Sequence, residues 1–196
     1  MILPGDFYER PTIDVAQALL GCCLVHEEGN MTTAGKIVET EAYLSGDPAA
    51  HSFIGKTKRN AVLFGPVGHA YVYLIYGMHY CVNVVTGEEG SGEAVLIRAL
   101  EPLQGIHVMK RRRVTESISQ LCSGPGKLTA AMGITRECNG VSFMDGPLRI
   151  RSRDSAPGTV PVRNDEIVRT TRVGIIKAAE KPLRFYLKDC PFISRK

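Results

Sequence analysis

Segments rich in Val, Ile and Tyr recur along this chain and constrain its fold more than any other feature. Five of them lie at residues 22–26, 34–43, 70–76, 80–85 and 94–100, and a sixth lies at 183–187. Shorter strand segments recur among Pro, Gly and Ser between residues 139 and 163. Short runs of β-branched and aromatic residues predict strands. Helical spacing is confined to residues 12–20, 103–113 and 127–132. Clustered strands with few helices between them predict an α+β fold: a single compact domain over residues 1–196, with a curved, mainly antiparallel sheet and surrounding helices.

The charge of the chain is distributed unevenly along its length. The 24 Lys and Arg residues exceed the 20 Asp and Glu residues by only four. Residues 1–50 hold two basic and eight acidic groups, for a charge of −6, whereas residues 51–196 hold 22 basic and 12 acidic groups, for +10. This asymmetry favours a positive surface combined with carboxylates that are reserved for chemistry.

Other features of the composition exclude several classes of protein. No stretch approaches the roughly 18 apolar residues of a membrane span, and the first residues lack the basic and apolar regions of a secretory signal. The six cysteines form no CxxC pair or other metal-ligand spacing, which argues against a disulfide framework or a zinc site. We therefore expect a reduced, intracellular protein that contacts no membrane.

Two carboxylates lie in one predicted strand, at residues 34–43. Strict alternation would place Glu39, Glu41 and Tyr43 on one face together with Ile37, and leave the intervening residues for the core. Two interpretations of the carboxylate face stay open at this point. It is either the solvated side of a half-exposed strand, or a cleft wall where one Glu serves as a general base beside a ring that binds a flat ligand.

Two further polar residues interrupt apolar strands. Arg98 lies within residues 94–100, where an unpaired buried charge would cost several kcal/mol. Glu39 and Glu41 are the nearest strand carboxylates that could pair with it, in a structural ion pair or a catalytic one. Asn83 lies within residues 80–85, and its amide is either satisfied by the backbone or directed into a polar pocket.

Tyrosine is concentrated in one region, with Tyr71, Tyr73, Tyr76 and Tyr80 inside ten residues. Aromatic-rich strands usually pack in a core, but Tyr76 precedes a glycine at a predicted hairpin tip, residues 76–79. An exposed ring at such a tip can stack on a ligand or act as a wedge. Basic groups at residues 56–59, 110–113 and 127 accompany it, a combination that favours a phosphate backbone as partner over solvated faces alone.

Six motifs of this chain, taken in order, resemble the alkyladenine (3-methyladenine) DNA glycosylase family. They are ETEAY at 39–43, YVYLIYGM at 71–78, CVN at 81–83, LIRALEP at 96–102, LCSGP at 121–125 and KPLRFY at 181–186. The likeness extends over nearly the whole chain. It implies a single α+β domain that flips a damaged nucleotide out of duplex DNA and hydrolyses its N-glycosidic bond, because an activated water cannot reach that bond within the base stack.

The resemblance also implies how the reaction is catalysed. Glu41 would be the general base that activates water, and Arg98 would help to hold that water and the carboxylate. Because water is the nucleophile and the core motif contains no lysine, the enzyme would be monofunctional, without lyase activity. It would work without a metal or other cofactor, as a monomer, on double-stranded DNA that contains a damaged purine. Its compartment would be the cytoplasm or nucleoid if the protein is bacterial.

The same resemblance assigns the base pocket. Tyr43, His51 and Tyr73 would form the slot around the flipped base, where electron-rich rings gain a cation–π contribution of about 1 kcal/mol from a cationic alkylated purine. Asn83 would be the gate that crowds the 2-amino group of normal guanine.

Two further sets of residues would contact the duplex outside the pocket. Tyr76 would fill the space that the flipped base leaves, with Met78 beside it. Four basic residues would lie near the DNA backbone: Arg59, Lys110, Arg113 and Lys127.

The chain departs from the family pattern at residues 79–80 and at residues 53–54, where Phe and Ile replace a more polar stretch. These departures leave the preference among 3-methyladenine, 7-methylguanine, hypoxanthine and ethenoadenine open. Two other functions also stay open: a catalytically idle module that binds damaged DNA, and a nucleoside hydrolase for small molecules, which would need neither Tyr76 nor the basic helix.

Overall fold

A curled antiparallel sheet dominates the computed structural model, which describes residues 1–153 and 162–195. The sheet contains eight strands in this part of the chain, and every pairing between them is antiparallel. The strands are β1 (Cys23–Glu28), β2 (Met31–Tyr43), β3 (Ala70–Ile75), β4 (His79–Thr86), β5 (Glu93–Gln104), β6 (Leu148–Arg151), β7 (Ile167–Thr170) and β8 (Arg184–Leu187). The predicted α+β class and the antiparallel sheet are confirmed.

Strand β2 is the centre of this sheet. The strand order is β3-β4-β5-β2-β1-β6, and β8 bonds to both β2 and β7. One edge of β2 pairs with β5, while its other edge pairs first with β1 through residues 31–36 and then with β8 through residues 39–41. The register against β5 shifts between Ile37 and Glu39, so Val38 is an extra residue in the ladder. Such bulges bend and twist a strand, which fits the curl of this sheet.

The bulge corrects the expected alternation of β2. Ile37 was expected to share a face with the two carboxylates, but it lies in the main core together with Ala42. The extra residue at Val38 reverses the side on which all preceding residues lie. The solvated-face interpretation is also wrong, because Glu39 and Glu41 have no exposed surface.

Short helices pack against the sheet. They are α1 (Gly5–Tyr8), α2 (Thr12–Ala18), α3 (Ile106–Arg113), α4 (Ile118–Leu121) and α5 (Pro125–Met132), with 3₁₀ turns at Ala61–Phe64, Arg136–Cys138 and Asn164–Glu166. Buried side chains of α3 and α5, among them Met109 and Leu128, join Ile97 and Phe185 of the sheet in one core cluster. The three predicted helices are confirmed with shifted ends, because β5 extends to Gln104 and delays the start of α3.

The remaining expectations concern the strands after residue 139, the cysteines and membrane-spanning helices. Of the strands expected between residues 139 and 163, β6 is present, and residues 154–161 lie outside the described part of the chain. All six cysteines are free, as expected. In the described ranges, no helix combines the length and the apolar character needed to cross a membrane.

Candidate active site

A cavity of about 220 Å³ opens beside strands β3 and β4, and the loops after β2 and β7 close its sides. Its walls include Tyr43, His51, Tyr73 and Asn83, so the fold brings these four predicted pocket residues together. Pockets for drug-sized ligands measure roughly 300–1,000 Å³. The smaller volume here suits a single ring system.

Aromatic rings form one side of the cavity. The His51 ring centroid lies 4.4 Å from that of Tyr73 and 5.9 Å from that of Tyr71, and the two tyrosines stack at 5.3 Å. A hydrogen bond of 2.9 Å joins His51 Nδ1 to the Tyr71 hydroxyl. Burial among these rings, assisted by the nearby Arg59 cation, lowers the pKa of His51 below its usual value. The imidazole is therefore neutral at pH 7, and the slot can accept a cationic ring without repulsion.

Asn83 belongs to the same wall. Its side chain is buried, and its Nδ2 donates a hydrogen bond of 3.1 Å to the backbone carbonyl of Tyr71. Both interpretations of Asn83 therefore apply. The backbone satisfies its side-chain amide, and the residue also lines the cavity. The hydrogen bond fixes the orientation of the amide, which is what a rigid steric element requires.

Glu41 lies behind the cavity wall. The Tyr43 hydroxyl donates to its Oε2 at 2.9 Å, and the Val173 backbone N–H donates to its Oε1 at 2.8 Å. Arg98 Nη1 lies 3.4 Å from the same Oε1. Burial raises the pKa of the Tyr43 hydroxyl above its usual range, so it stays protonated as a donor. Two hydrogen bonds and one ion pair thus hold the carboxylate directly behind Tyr43 and Val173, which themselves line the cavity.

A second carboxylate, Glu39, anchors the other end of Arg98. Its Oε1 accepts hydrogen bonds from Arg98 Nε at 3.2 Å and from Arg184 Nε at 2.7 Å. Ser194 donates to both oxygens, through its backbone N–H at 2.6 Å and its hydroxyl at 2.8 Å. The pairing predicted between Arg98 and the β2 carboxylates is confirmed. Two arginines and two glutamates balance one another in this buried cluster.

Sequence reasoning missed three of the residues around this cluster. Arg184 interrupts an apolar strand as Arg98 does, so the same argument about buried charge would have found it. Arg172 is buried and pairs with Asp47, while its guanidinium lies 4.7 Å from the centroid of the Tyr43 ring. Ser194 carries no local signal, since only the fold brings it to Glu39.

The β3–β4 hairpin presents an exposed apolar tip. Three residues connect the paired Ile75 and His79, and among them Tyr76 is 81% and Met78 is 72% exposed. Tyr76 and Gly77 both adopt the left-handed backbone conformation, which produces the tight turn. The predicted hairpin is confirmed, and its tip leaves a large ring in solvent.

Cations lie on both sides of this hairpin. Next to β3, Arg59 Nη2 donates to the Leu74 carbonyl at 3.3 Å. Next to β4, His79 borders a groove that is also lined by Arg113, at the end of α3, and by Lys127, at the start of α5. Gly126 permits this proximity, because a Cβ there would lie only 3.0 Å from the Cβ of His79.

The basic residues at 110–113 do not form one continuous positive surface. Lys110 pairs with Glu116 at 2.8 Å and lines a different groove from Arg113. Arg112 pairs with Glu28 and donates to the Ala131 carbonyl at the end of α5. The charges of Lys110 and Arg112 are therefore balanced within the protein.

No part of the described ranges, 1–153 and 162–195, holds three or more His, Cys, Asp or Glu residues placed to bind a metal ion. The described residues form a ring-lined cavity, a buried carboxylate behind it, and an exposed aromatic tip between cations. Such a site can bind a flat ligand and activate a water beside it.

Comparison with known proteins places this site in context. Residues 6–191 match the family model described as methylpurine-DNA glycosylase (MPG). A protein of Methanoculleus marisnigri named "Putative 3-methyladenine DNA glycosylase" is 62% identical over the full length of both chains. Proteins with the same name from Carboxydothermus hydrogenoformans and Francisella tularensis are 50% identical over all of both chains and 49% identical over 94% of each. The chain therefore belongs to the methylpurine-DNA glycosylase family, a family of DNA-repair hydrolases that cleave N-glycosyl bonds.

Proposed function

We propose that this protein excises alkylated or deaminated purines, of the 3-methyladenine, 7-methylguanine, hypoxanthine and ethenoadenine class, from duplex DNA. The purine is flipped into the cavity and released by hydrolysis, which leaves an abasic site without strand cleavage. One observation carries this proposal: a cavity sized for one ring system has a buried carboxylate, Glu41, directly behind its wall.

The slot explains recognition of the base. Tyr43, His51 and Tyr73 surround the flipped purine, and stacking on a tyrosine face favours a cationic alkylated purine by about 1 kcal/mol. The neutral His51 adds no opposing charge. Asn83 acts as the gate that crowds the 2-amino group of normal guanine, because its amide is fixed by the Tyr71 carbonyl.

The chemistry centres on Glu41. Water attacks C1′ of the sugar as the glycosidic electron pair leaves with the purine, and Glu41 accepts the proton of the water while Arg98 orients both. The carboxylate also stabilises the oxocarbenium-like transition state. Since Glu41 has no exposed surface, entry of the nucleotide has to move either the Tyr43 hydroxyl or the Val173 amide away from it.

The hairpin explains how the nucleotide is held out of the helix. Tyr76 inserts into the vacated stack with Met78 beside it, while Arg59 on one side and Arg113 and Lys127 on the other contact phosphates. Lys110, also expected near the backbone, has its charge balanced by Glu116 and contributes least. One monomer supplies the whole surface.

The Glu41→Gln variant tests the proposal. It keeps the shape of the side chain but cannot accept a proton, so base release from single-lesion duplexes should fall by at least about a thousandfold. Binding of the same duplexes, measured by fluorescence anisotropy, should change by less than about threefold. Glu89→Gln, in an exposed loop, is the matched control and should behave like the parent protein.

The alternatives give different results in this experiment. A parent protein that binds lesion duplexes but releases no base would be an idle binding module. A parent protein that cleaves free nucleosides but ignores duplexes would be a nucleoside hydrolase. Full activity of Glu41→Gln would remove this residue from the mechanism.

A further inference from the structure

We propose that Glu39 and Ser194 are positioning residues that hold Arg98 back from Glu41 and so keep the carboxylate available to water. This inference rests on the proposed function, in which Glu41 is the base. It brings the segment around Ser194, far along the chain from β2, into the catalytic unit.

The distances around Arg98 carry the argument. Arg98 Nε donates hydrogen bonds to Glu39 Oε1 at 3.2 Å and to the Ser194 hydroxyl at 3.1 Å. The contact of its Nη1 with Glu41 Oε1 is the longest of the three, an ion pair at 3.4 Å. A planar guanidinium held at Nε cannot turn freely to present its fork to Glu41. Glu39 and Ser194, which hold Nε, therefore limit how closely the Arg98 guanidinium approaches the Glu41 carboxylate.

The alternative arrangement would block the reaction. A buried arginine without Glu39 would have Glu41 as its nearest remaining carboxylate, and a two-pronged ion pair is the favoured geometry for such a couple. The fork would then take the second lone pair of each Glu41 oxygen, because the Tyr43 hydroxyl and the Val173 amide already donate to one lone pair each. A water would find no free lone pair in the correct direction.

Ser194 determines the geometry of the anchor. Its hydroxyl accepts from Arg98 Nε and donates to Glu39 Oε1, and its backbone N–H donates to Oε2. Arg184 supports the same place by contacting Glu39 and the backbone carbonyl of Arg195. The hydroxyl is thus a bridge between the arginine and its second carboxylate.

The Ser194→Ala variant removes this bridge and leaves the backbone bond to Glu39. We expect the single-turnover rate of base release to fall about tenfold, while affinity for lesion duplexes changes by less than about threefold. Ser194→Thr retains the hydroxyl and should restore the rate to within about threefold of the parent. Ser117→Ala, at an exposed position, is the control.

Glu39→Gln removes the same anchor from the carboxylate side. It keeps the shape of the side chain but loses the charge that pairs with Arg98 Nε. We expect the rate of base release to fall as it does in Ser194→Ala, while affinity for lesion duplexes stays within about threefold of the parent.

Three outcomes overturn the inference. They are a Ser194→Ala rate within about twofold of the parent, a rate loss matched by an equal loss of DNA affinity, and a Thr variant that fails to rescue at unchanged melting temperature. Failure of the proposed function is distinct, because the parent protein itself would then release no base from any lesion duplex.

Discussion

At the scale of single residues, His51 links the pocket to pH. Its ring packs against Tyr73, and burial lowers its pKa from the ordinary value of 6.5. A lowered pKa means that the imidazole stays neutral around pH 7 and gains its charge only as the pH falls below 6.5. Once protonated, it would repel a cationic purine in the slot but not a neutral one.

Discrimination between lesions should therefore change with pH. Between about pH 7.5 and about pH 5, we expect affinity for 7-methylguanine duplexes to fall relative to ethenoadenine duplexes, measured by competition binding at constant ionic strength. The ratio is informative because protonation of other groups affects both lesions. His51→Gln lacks the titrating group and should give a ratio independent of pH; a parallel change in parent and variant would contradict this role.

At the scale of elements, glycines set how closely helix and sheet approach. Gly105 joins β5 to α3 with φ of 72°, and a Cβ at this position would lie 2.5 Å from the Thr32 carbonyl oxygen. Gly29, in the turn between β1 and β2, also has positive φ, but a Cβ there would meet nothing within 4 Å. The two positions share a left-handed backbone, which glycine adopts freely and alanine does not, and they differ in the steric contact that a Cβ would make.

This pair separates backbone strain from packing. Gly29→Ala should lower the free energy of unfolding by about 1 kcal/mol, the cost of a left-handed residue. Gly105→Ala should lower it by roughly 3 kcal/mol or more, since overpacking against β2 adds to that cost. Urea denaturation measures both values, and equal losses would show that α3 can shift to make room.

At the scale of the whole molecule, the fold pairs some basic side chains with carboxylates and others with neutral groups. Among the described residues, the partners of the Lys127 ammonium are the neutral Gln120 and Ser123, and no ion pair balances its charge beside the hairpin. Lys110, although it lies in the run of basic residues, is paired with Glu116. The surface that would face DNA is therefore narrower than the number of cations alone implies.

Salt dependence of DNA binding tests this division. Lys127→Ala should reduce the slope of log affinity against log salt by about one, the contribution of one phosphate contact. Lys110→Ala is the matched comparison and should leave the slope nearly unchanged, because no counterion is released at a residue that is already paired. Equal reductions would place both lysines on the phosphate backbone.

The amino-acid pattern predicted every described strand except β7, predicted the hairpin tip, and singled out the candidate catalytic residues. Period-two runs of Val, Ile and Tyr record which segments pair in a sheet, and a charge such as Arg98 in an apolar run needs a carboxylate wherever the fold places it. Strand patterns are local, and a buried charge needs a partner in any fold, so both can be inferred from the sequence. The resemblance then assigned roles to Glu41, Tyr43 and their neighbours.

The tertiary structure alone decided how those residues meet. The bulge at Val38 places Ile37 in the core, because one extra residue reverses the faces of a strand. The alternation of apolar and polar residues in the sequence does not reveal this bulge. Glu39 and Ser194 are 155 residues apart and meet only through the pairing of β8 with β2 and the course of the chain after it. Sequence periodicity encodes local conformation, whereas such contacts depend on register, twist and chain path, and these are properties of the whole sheet.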